Sequence, residues 1–263
     1  MKKGFTLAEV LITLGVIGVV AAMTLPTLIQ NYKKTVYVNQ LKKSYSMWEQ
    51  TFQKIMADDG VQKLSYTSVW ASKGSAHCMS SNGSNSYETD INCEKFVTNL
   101  GKYLKIIGVE KYGNKVNKLG GGTPYNNENN NSFVLSDGTM IWFDAFFTTN
   151  PKSTDVCNQI KGFGGSMCSY AGDIYIDVNG KRGPNTYGRD IFRFTFSDEG
   201  KLYPYYGKDD ALRTHVAALE SNMVYWQKNP NMCGTPDSGV IGSNVIGWGC
   251  AARIMENSWK MDY

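Results

Sequence analysis

Residues 1–26 read MKKGFTLAEVLITLGVIGVVAAMTLP, and this stretch decides the architecture of the chain. Two lysines and a glycine precede a long apolar run, and Glu9 is the single charge within residues 5–25. A helix of about 20 residues crosses the ~30 Å hydrocarbon core of a bilayer. A lone carboxylate in that core costs at least ~2.5 kcal/mol. The run therefore predicts a membrane-spanning helix whose carboxylate needs a partner.

The stretch resembles the amino-terminal signature of type IV pilins and of the pseudopilins of type II secretion. In that family a prepilin peptidase cuts after the leader glycine and methylates the new amino terminus. The resemblance implies cleavage between Gly4 and Phe5. Glu9, Gly18 and Pro26 fall on the glutamate, glycine and proline positions of the family.

The resemblance covers about residues 1–32, and it implies how the chain assembles. In a filament the Glu9 carboxylate would meet the methylated amino terminus of a neighbouring Phe5, which keeps its positive charge. Removing one member of a buried ion pair costs about 3–5 kcal/mol, so the pair would fix the register between subunits. The helix between Gly18 and Pro26 is where family members unwind on assembly. The implied partners are a prepilin peptidase, other pilin or pseudopilin subunits, an inner-membrane assembly platform and membrane lipid.

Two other interpretations of the amino-terminal segment stay open. A secretory signal peptide has a basic start, an apolar core of about 7–15 residues and a small-residue cleavage site. Val20-Ala21-Ala22 resembles such a site, and the protein would then be a Sec-secreted soluble binding protein. A plain single-span anchor is the second alternative. The length of the apolar run and the presence of Glu9 favour the pilin-like interpretation.

The helix is predicted to continue beyond Pro26, because residues 27–57 contain no glycine or proline. Apolar side chains recur there at spacings of three and four, which is typical of an amphipathic helix that packs on a domain. These positions are Leu41, Tyr45, Trp48, Phe52 and Ile55. The predicted boundaries are a prepilin leader at 1–4, a transmembrane and assembly helix at 5–26, its amphipathic half at 27–58 and an extracytoplasmic head at 59–263.

Turn signals in the head predict an antiparallel sheet. Asp137-Gly138 separates two apolar runs and predicts a hairpin, and residues 190–205 predict another around their own turn. Residues 174–178 predict a further strand, whereas residues 93–107 and the last segment from Cys250 predict helices. The predicted fold class is α+β, a long helix packed on an antiparallel sheet of about four strands with long disulfide-bonded loops.

Six cysteines in a predicted exported domain indicate disulfides. They are Cys78, Cys93, Cys157, Cys168, Cys233 and Cys250. Six cysteines allow 15 pairings, and the sequence alone does not choose among them. Their closeness in sequence favours the local pairs Cys78–Cys93, Cys157–Cys168 and Cys233–Cys250.

One cluster of oxygen ligands follows the predicted strand at 174–178. Asp177, Asn179 and Asp190 could hold calcium, which takes 6–8 oxygens from carboxylates, amides and carbonyls. Some pseudopilins have a calcium-stabilised loop near the carboxyl end. The alternative is a turn that ends the strand, with Asn179 and Gly180 at positive φ and Asp190 as a cap.

A nucleic-acid interface is the other binding site that the sequence raises. Tyr103 and Tyr112 lie among five lysines, and aromatic rings in a basic groove hold single-stranded DNA in other proteins. The lysines are Lys102, Lys105, Lys111, Lys115 and Lys118. The alternative is a solvated helix face, and a formal net charge of +4 makes no case for nucleic acid.

The function predicted from the sequence is that of a non-enzymatic structural subunit of a type IV pilus or a type II secretion pseudopilus. The size of the chain indicates a minor or tip subunit. A filament-displayed adhesin or DNA-binding module is the alternative. Catalysis is not predicted, because the chain lacks the G-x-S-x-G nucleophile motif and a Walker lysine. The predicted location is the inner membrane, single-pass with the head outside the cytoplasm, and then an extracytoplasmic filament.

Overall fold

The structure of the protein is a computed structural model, and it describes residues 6–70, 91–126, 131–145, 170–205, 230–234, 241–242 and 245–263. Its main feature is one continuous helix, α1 (Leu7–Asp58), which includes Pro26 and ends at the turn after Asp58. At 1.5 Å per residue, its 52 residues extend about 78 Å. The predicted long helix, apolar at its start and amphipathic beyond Pro26, is confirmed.

The head contains an antiparallel sheet that packs on the second half of α1. The described strands are β1 (Ile106–Lys111), β2 (Lys115–Val116), β3 (Tyr125–Asn126), β4 (Asn131–Leu135), β5 (Met140–Ala145), β6 (Tyr170–Asp177), β7 (Ile191–Ser197) and β8 (Leu202–Pro204). Six of them form one sheet in the order β1-β4-β5-β6-β7-β8, which is two more than the four strands expected from the sequence, and β2 pairs with β3. Every pairing in both sheets is antiparallel, so the predicted α+β class is confirmed.

Besides a short 3-10 helix at Leu64–Tyr66, three further α-helices are described, and one of them corrects a sequence prediction. They are α2 (Ile91–Leu100), α3 (Pro230–Cys233) and α4 (Cys250–Glu256). The predicted helix over residues 93–107 was wrong in its second half, because α2 ends at Leu100 and the chain then enters β1. In β1, Val109 lies opposite Phe133 of β4. Pairing with β4 therefore overrides a local apolar pattern that also fits a helix.

The core lies between α1 and one face of the sheet. Trp48 and Phe52 are completely buried, and the Trp48 ring lies 5.4 Å from the rings of both Phe52 and Phe143. Leu41 and Ile55 are also completely buried, whereas Tyr45 is half-buried. The stripe predicted from helical spacing is thus the face of α1 that packs on the sheet.

A turn between β7 and β8 lies against the distal end of α1, the end furthest from Leu7. Gly200 in this turn has a φ of +72°, and a Cβ there would lie 2.6 Å from Met56 Cε and 3.1 Å from Phe52 Cβ. Gln53 Nε2 donates hydrogen bonds to the carbonyls of Glu199 and Gly200 at 3.3 Å. Glycine is needed here both for its backbone conformation and for the close approach of the turn to the helix.

The opposite face of the sheet is also covered, and it contains a buried ion pair. Arg193 of β7 donates through Nη2 and, at 3.2 Å, through Nε to the Asp173 carboxylate of β6, which also accepts the Thr195 hydroxyl at 2.9 Å. The guanidinium carbon lies 3.8 Å from the ring centre of Tyr205 and 4.8 Å from that of Trp248. Arg193 is 7% exposed and Asp173 is 1% exposed.

A disulfide joins Cys233 of α3 to Cys250 of α4, with 4.9 Å between the Cα atoms. This pairing agrees with one of the three local pairs expected from the sequence. Cys78, Cys157, Cys168 and the side chain of Cys93 lie outside the described part of the chain. Arg253 of α4 is 2% exposed and donates to the Cys233 carbonyl at 2.8 Å, so α4 is also tied to α3 by a charged side chain.

Candidate functional site

The first turn of α1 contains the predicted assembly residue Glu9. Its carboxylate accepts hydrogen bonds from the backbone N–H and the hydroxyl of Thr6, both at 2.8 Å. The Glu9 N–H in turn donates to Thr6 Oγ1 at 3.3 Å, which completes a capping box. The pattern Thr-x-x-Glu is a known signal for such a box, and the sequence analysis missed it.

The capping box gives the Glu9 carboxylate a partner within its own chain. Thr6 satisfies the carboxylate while the carboxylate satisfies an N–H group that the helix itself leaves unbonded. The predicted contact between Glu9 and a neighbouring Phe5 stays a prediction. The predicted cleavage site at Gly4 and Phe5 lies outside the described residues.

The amino-terminal half of α1 is an apolar surface that the described protein leaves open. None of the residues in its most apolar stretch of 18 residues is buried. By length and composition the helix is able to cross a membrane. A Cβ built on Gly15 or Gly18 would meet no atom within 4 Å beyond the adjacent backbone of its own helix, and Pro26 lies in the same open segment. The exposed large apolar side chains are Leu7, Val10, Leu11, Ile12, Leu14, Val16, Ile17, Val19, Val20, Met23, Leu25, Leu28 and Ile29.

The predicted oxygen cluster lies in the turn between β6 and β7. Asp177 is completely buried, and its carboxylate accepts the Tyr112 hydroxyl at 2.7 Å and the Asn179 N–H at 3.2 Å. Gly180 turns the chain with a φ of +63°, while Asn179 is not among the described residues with positive φ. Asn179 instead donates its side-chain amide to the Gly183 carbonyl at 2.9 Å.

Asp190 ends the same turn and is completely buried. Its two carboxylate oxygens accept the N–H groups of Thr186 and Asn185 at 2.7 and 2.8 Å. Both aspartates thus bind donors of the turn itself, as the turn interpretation expects. No group of three or more histidine, cysteine, aspartate or glutamate residues is arranged to hold a metal within the described ranges. Calcium binding at Asp177, Asn179 and Asp190 stays a prediction.

The buried aspartates make the stability of the head dependent on pH. Burial, and to a smaller extent repulsion from Asp190, raises the pKa of Asp177 to about 8. Since the native state then holds a proton that the unfolded chain releases, we expect stability to fall as pH rises from about 4 to about 8. Burial also raises the pKa of Asp190, which acts in the same direction. Asp177→Asn should flatten this dependence in urea unfolding of the full chain in detergent with chelator.

Asp137→Asn is the matched control for Asp177→Asn, because Asp137 is an exposed carboxylate that pairs with Lys43 at 2.6 Å. It should leave the decline in stability between these pH values in place. Equal slopes for Asp177→Asn and the unchanged chain would contradict the assignment. Repeating the series with calcium in place of chelator tests the calcium prediction, which ends if the unfolding midpoint does not move.

Tyr112 does not supply an exposed ring beside the lysines proposed for nucleic-acid binding. That ring is completely buried against Trp142, and its hydroxyl is bonded to Asp177, so it cannot stack on a base. Lys118 lies 5.2 Å from the ring centre of Tyr125, and Lys102 donates to Asn99 at 3.0 Å. The geometry supports the interpretation of these lysines as solvated surface residues.

Comparison with known proteins divides the chain into two parts. A model described as the prokaryotic N-terminal methylation motif matches residues 1–25, which supports the type IV pilin-like prepilin signature. A model described as a family of unknown function (DUF6613) matches residues 27–263. No curated protein and no solved structure matched the chain.

Proposed function

The chain belongs to the DUF6613 family and carries the prokaryotic N-terminal methylation motif, and on that premise we propose that it is a minor or tip filament subunit. The motif makes it a type IV pilin-like or pseudopilin-like subunit that a prepilin peptidase processes and that assembles with other pilin subunits. The machine it serves is a type IV pilus or a type II secretion pseudopilus. The role in either is structural rather than catalytic.

The observation that carries this proposal is the division of α1 into two halves with different surroundings. From Tyr37 onward the helix buries one face in the core of the head, whereas its first half has an exposed apolar surface. Lipid and other apolar helices are the surroundings that remove such a surface from water. One continuous helix therefore links the folded head to the surroundings of the first half.

The Cys233–Cys250 disulfide supports a head outside the cytoplasm, because disulfides persist in oxidising compartments. The location we propose is a single-pass protein of the inner membrane that an assembly platform moves into an extracytoplasmic filament. A length of 263 residues, large for a major pilin, supports the assignment as a minor or tip subunit.

Processing by the peptidase is the direct test of the proposal. With a prepilin peptidase co-expressed, we expect the membrane-extracted chain to start at a methylated Phe5, and Gly4→Leu should abolish cleavage. Intact mass and amino-terminal sequencing measure both outcomes. Gly15→Leu is the matched control, since it makes the same replacement beyond the cleavage site and should be cut normally.

Two outcomes would overturn the proposed processing. A chain that starts near Met23 with or without the peptidase would mean that a secretory leader had been removed. A chain that keeps its full length when the peptidase is present would leave a plain single-span anchor.

A further inference from the structure

A basic cavity lies where α1 passes from its exposed apolar half into the head. It has a volume of about 480 Å³, is open to solvent and is lined by α1 and the turn between β6 and β7. Its charged lining consists of Lys33 and Lys34 of α1 and Arg189 of the turn, and Gln30 and Tyr37 complete the helix side. We call this cavity the neck pocket.

The distance between the exposed aliphatic segment of α1 and the lysines of the neck pocket matches the thickness of a headgroup layer. Ile29 is the last exposed large aliphatic side chain of α1, and Lys33 and Lys34 follow by four and five residues. This spacing places them about 6–8 Å further along the helix axis. The headgroup layer on each side of the hydrocarbon core is about 5–8 Å thick. A membrane that covers the apolar half therefore brings its phosphates level with the pocket.

The charge around the neck pocket is almost entirely positive. Between Glu9 and Glu49 the helix carries no acidic residue. Among the ion pairs of the described residues, none includes Lys33, Lys34 or Arg189. Three cationic side chains thus face one cavity with no carboxylate paired to them there.

Asp177 and Asp190 lie in the turn between β6 and β7, and both act electrostatically on Tyr37 of the pocket lining. Both are completely buried, and their carboxylates bind donors of their own turn or Tyr112. Neither carboxylate belongs to the lining, whose charged side chains are Lys33, Lys34 and Arg189.

A second cavity on the other side of the neck extends the same surface. It has a volume of about 310 Å³, and Lys34 lines it together with Lys260 and Trp259. Tyr32, which is 69% exposed, lies between the apolar half and the lysines. Tyrosine and tryptophan are enriched at the depth where a membrane meets water. Tyr32 therefore lies where the exposed aliphatic segment of α1 gives way to the lysines.

We propose that the neck pocket binds the phosphate of an anionic membrane lipid such as phosphatidylglycerol. Each lysine or arginine near an anionic membrane surface contributes about 1 kcal/mol of attraction. Lys33, Lys34 and Arg189 hold the phosphate, while the acyl chains follow the apolar half of α1. The proposal requires that α1 is a membrane anchor and is independent of filament assembly.

Native mass spectrometry of the full chain in detergent tests the proposal with added phosphatidylglycerol or phosphatidylcholine at equal concentration. We expect the chain to retain phosphatidylglycerol in preference. The triple replacement of Lys33, Lys34 and Arg189 by glutamine should weaken that binding by about tenfold or more, since each cation contributes. Binding of phosphatidylcholine should stay unchanged.

The control is a triple replacement of the exposed lysines Lys54, Lys63 and Lys201 by glutamine, which removes the same charge. Lys201 follows Gly200, whose turn packs on Met56 of α1. Met56 lies about 33 Å along the helix from Lys34. This variant should bind phosphatidylglycerol like the unchanged chain. Equal loss in both triple variants would overturn the proposal, because the effect would then come from net charge alone.

Three other results would also overturn the proposal. The first is equal retention of the two lipids, and the second is displacement of phosphatidylglycerol by millimolar inorganic phosphate. The third is that the unchanged chain forms a dimer and the triple variant loses that dimer, with no difference in bound lipid. The second result would assign the pocket to a free anion, and the third to a second copy of the chain. Arg189→Gln alone leaves α1 unchanged, so it gives the same readout if the triple variant does not fold.

Discussion

Replacement of Asp173 by alanine is expected to lower the free energy of unfolding by about 3–5 kcal/mol. The change leaves the guanidinium of Arg193, which is 7% exposed, without the carboxylate that it contacts through two nitrogens. Tyr205 and Trp248 stack on the guanidinium but supply no full negative charge. Urea unfolding of the full chain in detergent, followed by tryptophan fluorescence, measures the difference.

A double replacement separates the unpaired charge from the loss of packing. Asp173→Ala combined with Arg193→Met removes both charges, and we expect it to recover a large part of the stability, since buried ion pairs are often replaceable by apolar side chains. Asp173→Asn keeps the shape of the side chain and should fall between the two. If the double variant is as unstable as Asp173→Ala, the charge is not the cause.

Trp48→Ala is expected to destabilise the head by about 3–5 kcal/mol, because it removes a completely buried tryptophan between α1 and the sheet. The Trp48 ring is completely buried and touches Phe52 on its own helix and Phe143 on β5. The cavity would lie in the packing interface between α1 and the sheet. The same urea titration measures the change.

Trp48→Phe is the informative comparison for Trp48→Ala. The indole Nε1 is buried and has no hydrogen-bond partner among the described residues, so phenylalanine removes an unsatisfied donor while it keeps a ring. We expect it to cost less than half as much as alanine. Equal losses for the two variants would mean that the indole itself, and not the filled volume, stabilises this interface.

Features with a regular local pattern were predictable from the sequence. The stripe that includes Leu41, Trp48 and Phe52 packs where its helical spacing places it, and Asp137-Gly138 separates β4 from β5. In both cases the local preference and the packed structure agree. Because β1 is short and apolar on both sides, its sequence fits a helix as well, and only β4, about 25 residues away, decides the outcome.

Contacts between distant residues were not predictable. Arg193 and Asp173 lie on neighbouring strands 20 residues apart, and no local pattern in the sequence pairs them. Their face of the sheet is covered by side chains from distant segments, among them Tyr112, Tyr125 and Trp248. The neck pocket was missed for the same reason, since Arg189 meets Lys33 and Lys34 only after the sheet has formed.

The exposed apolar half of α1 determines whether the protein can exist as a free monomer in water. Each large aliphatic side chain is worth about 1.5–3 kcal/mol when it leaves water. The side chains between Leu7 and Ile29 together outweigh the total stability of a typical domain, about 5–15 kcal/mol. A pool of free monomers in the aqueous phase is therefore negligible. We expect a subunit released from an assembly to return to a bilayer and to reach its next partner by lateral diffusion in two dimensions.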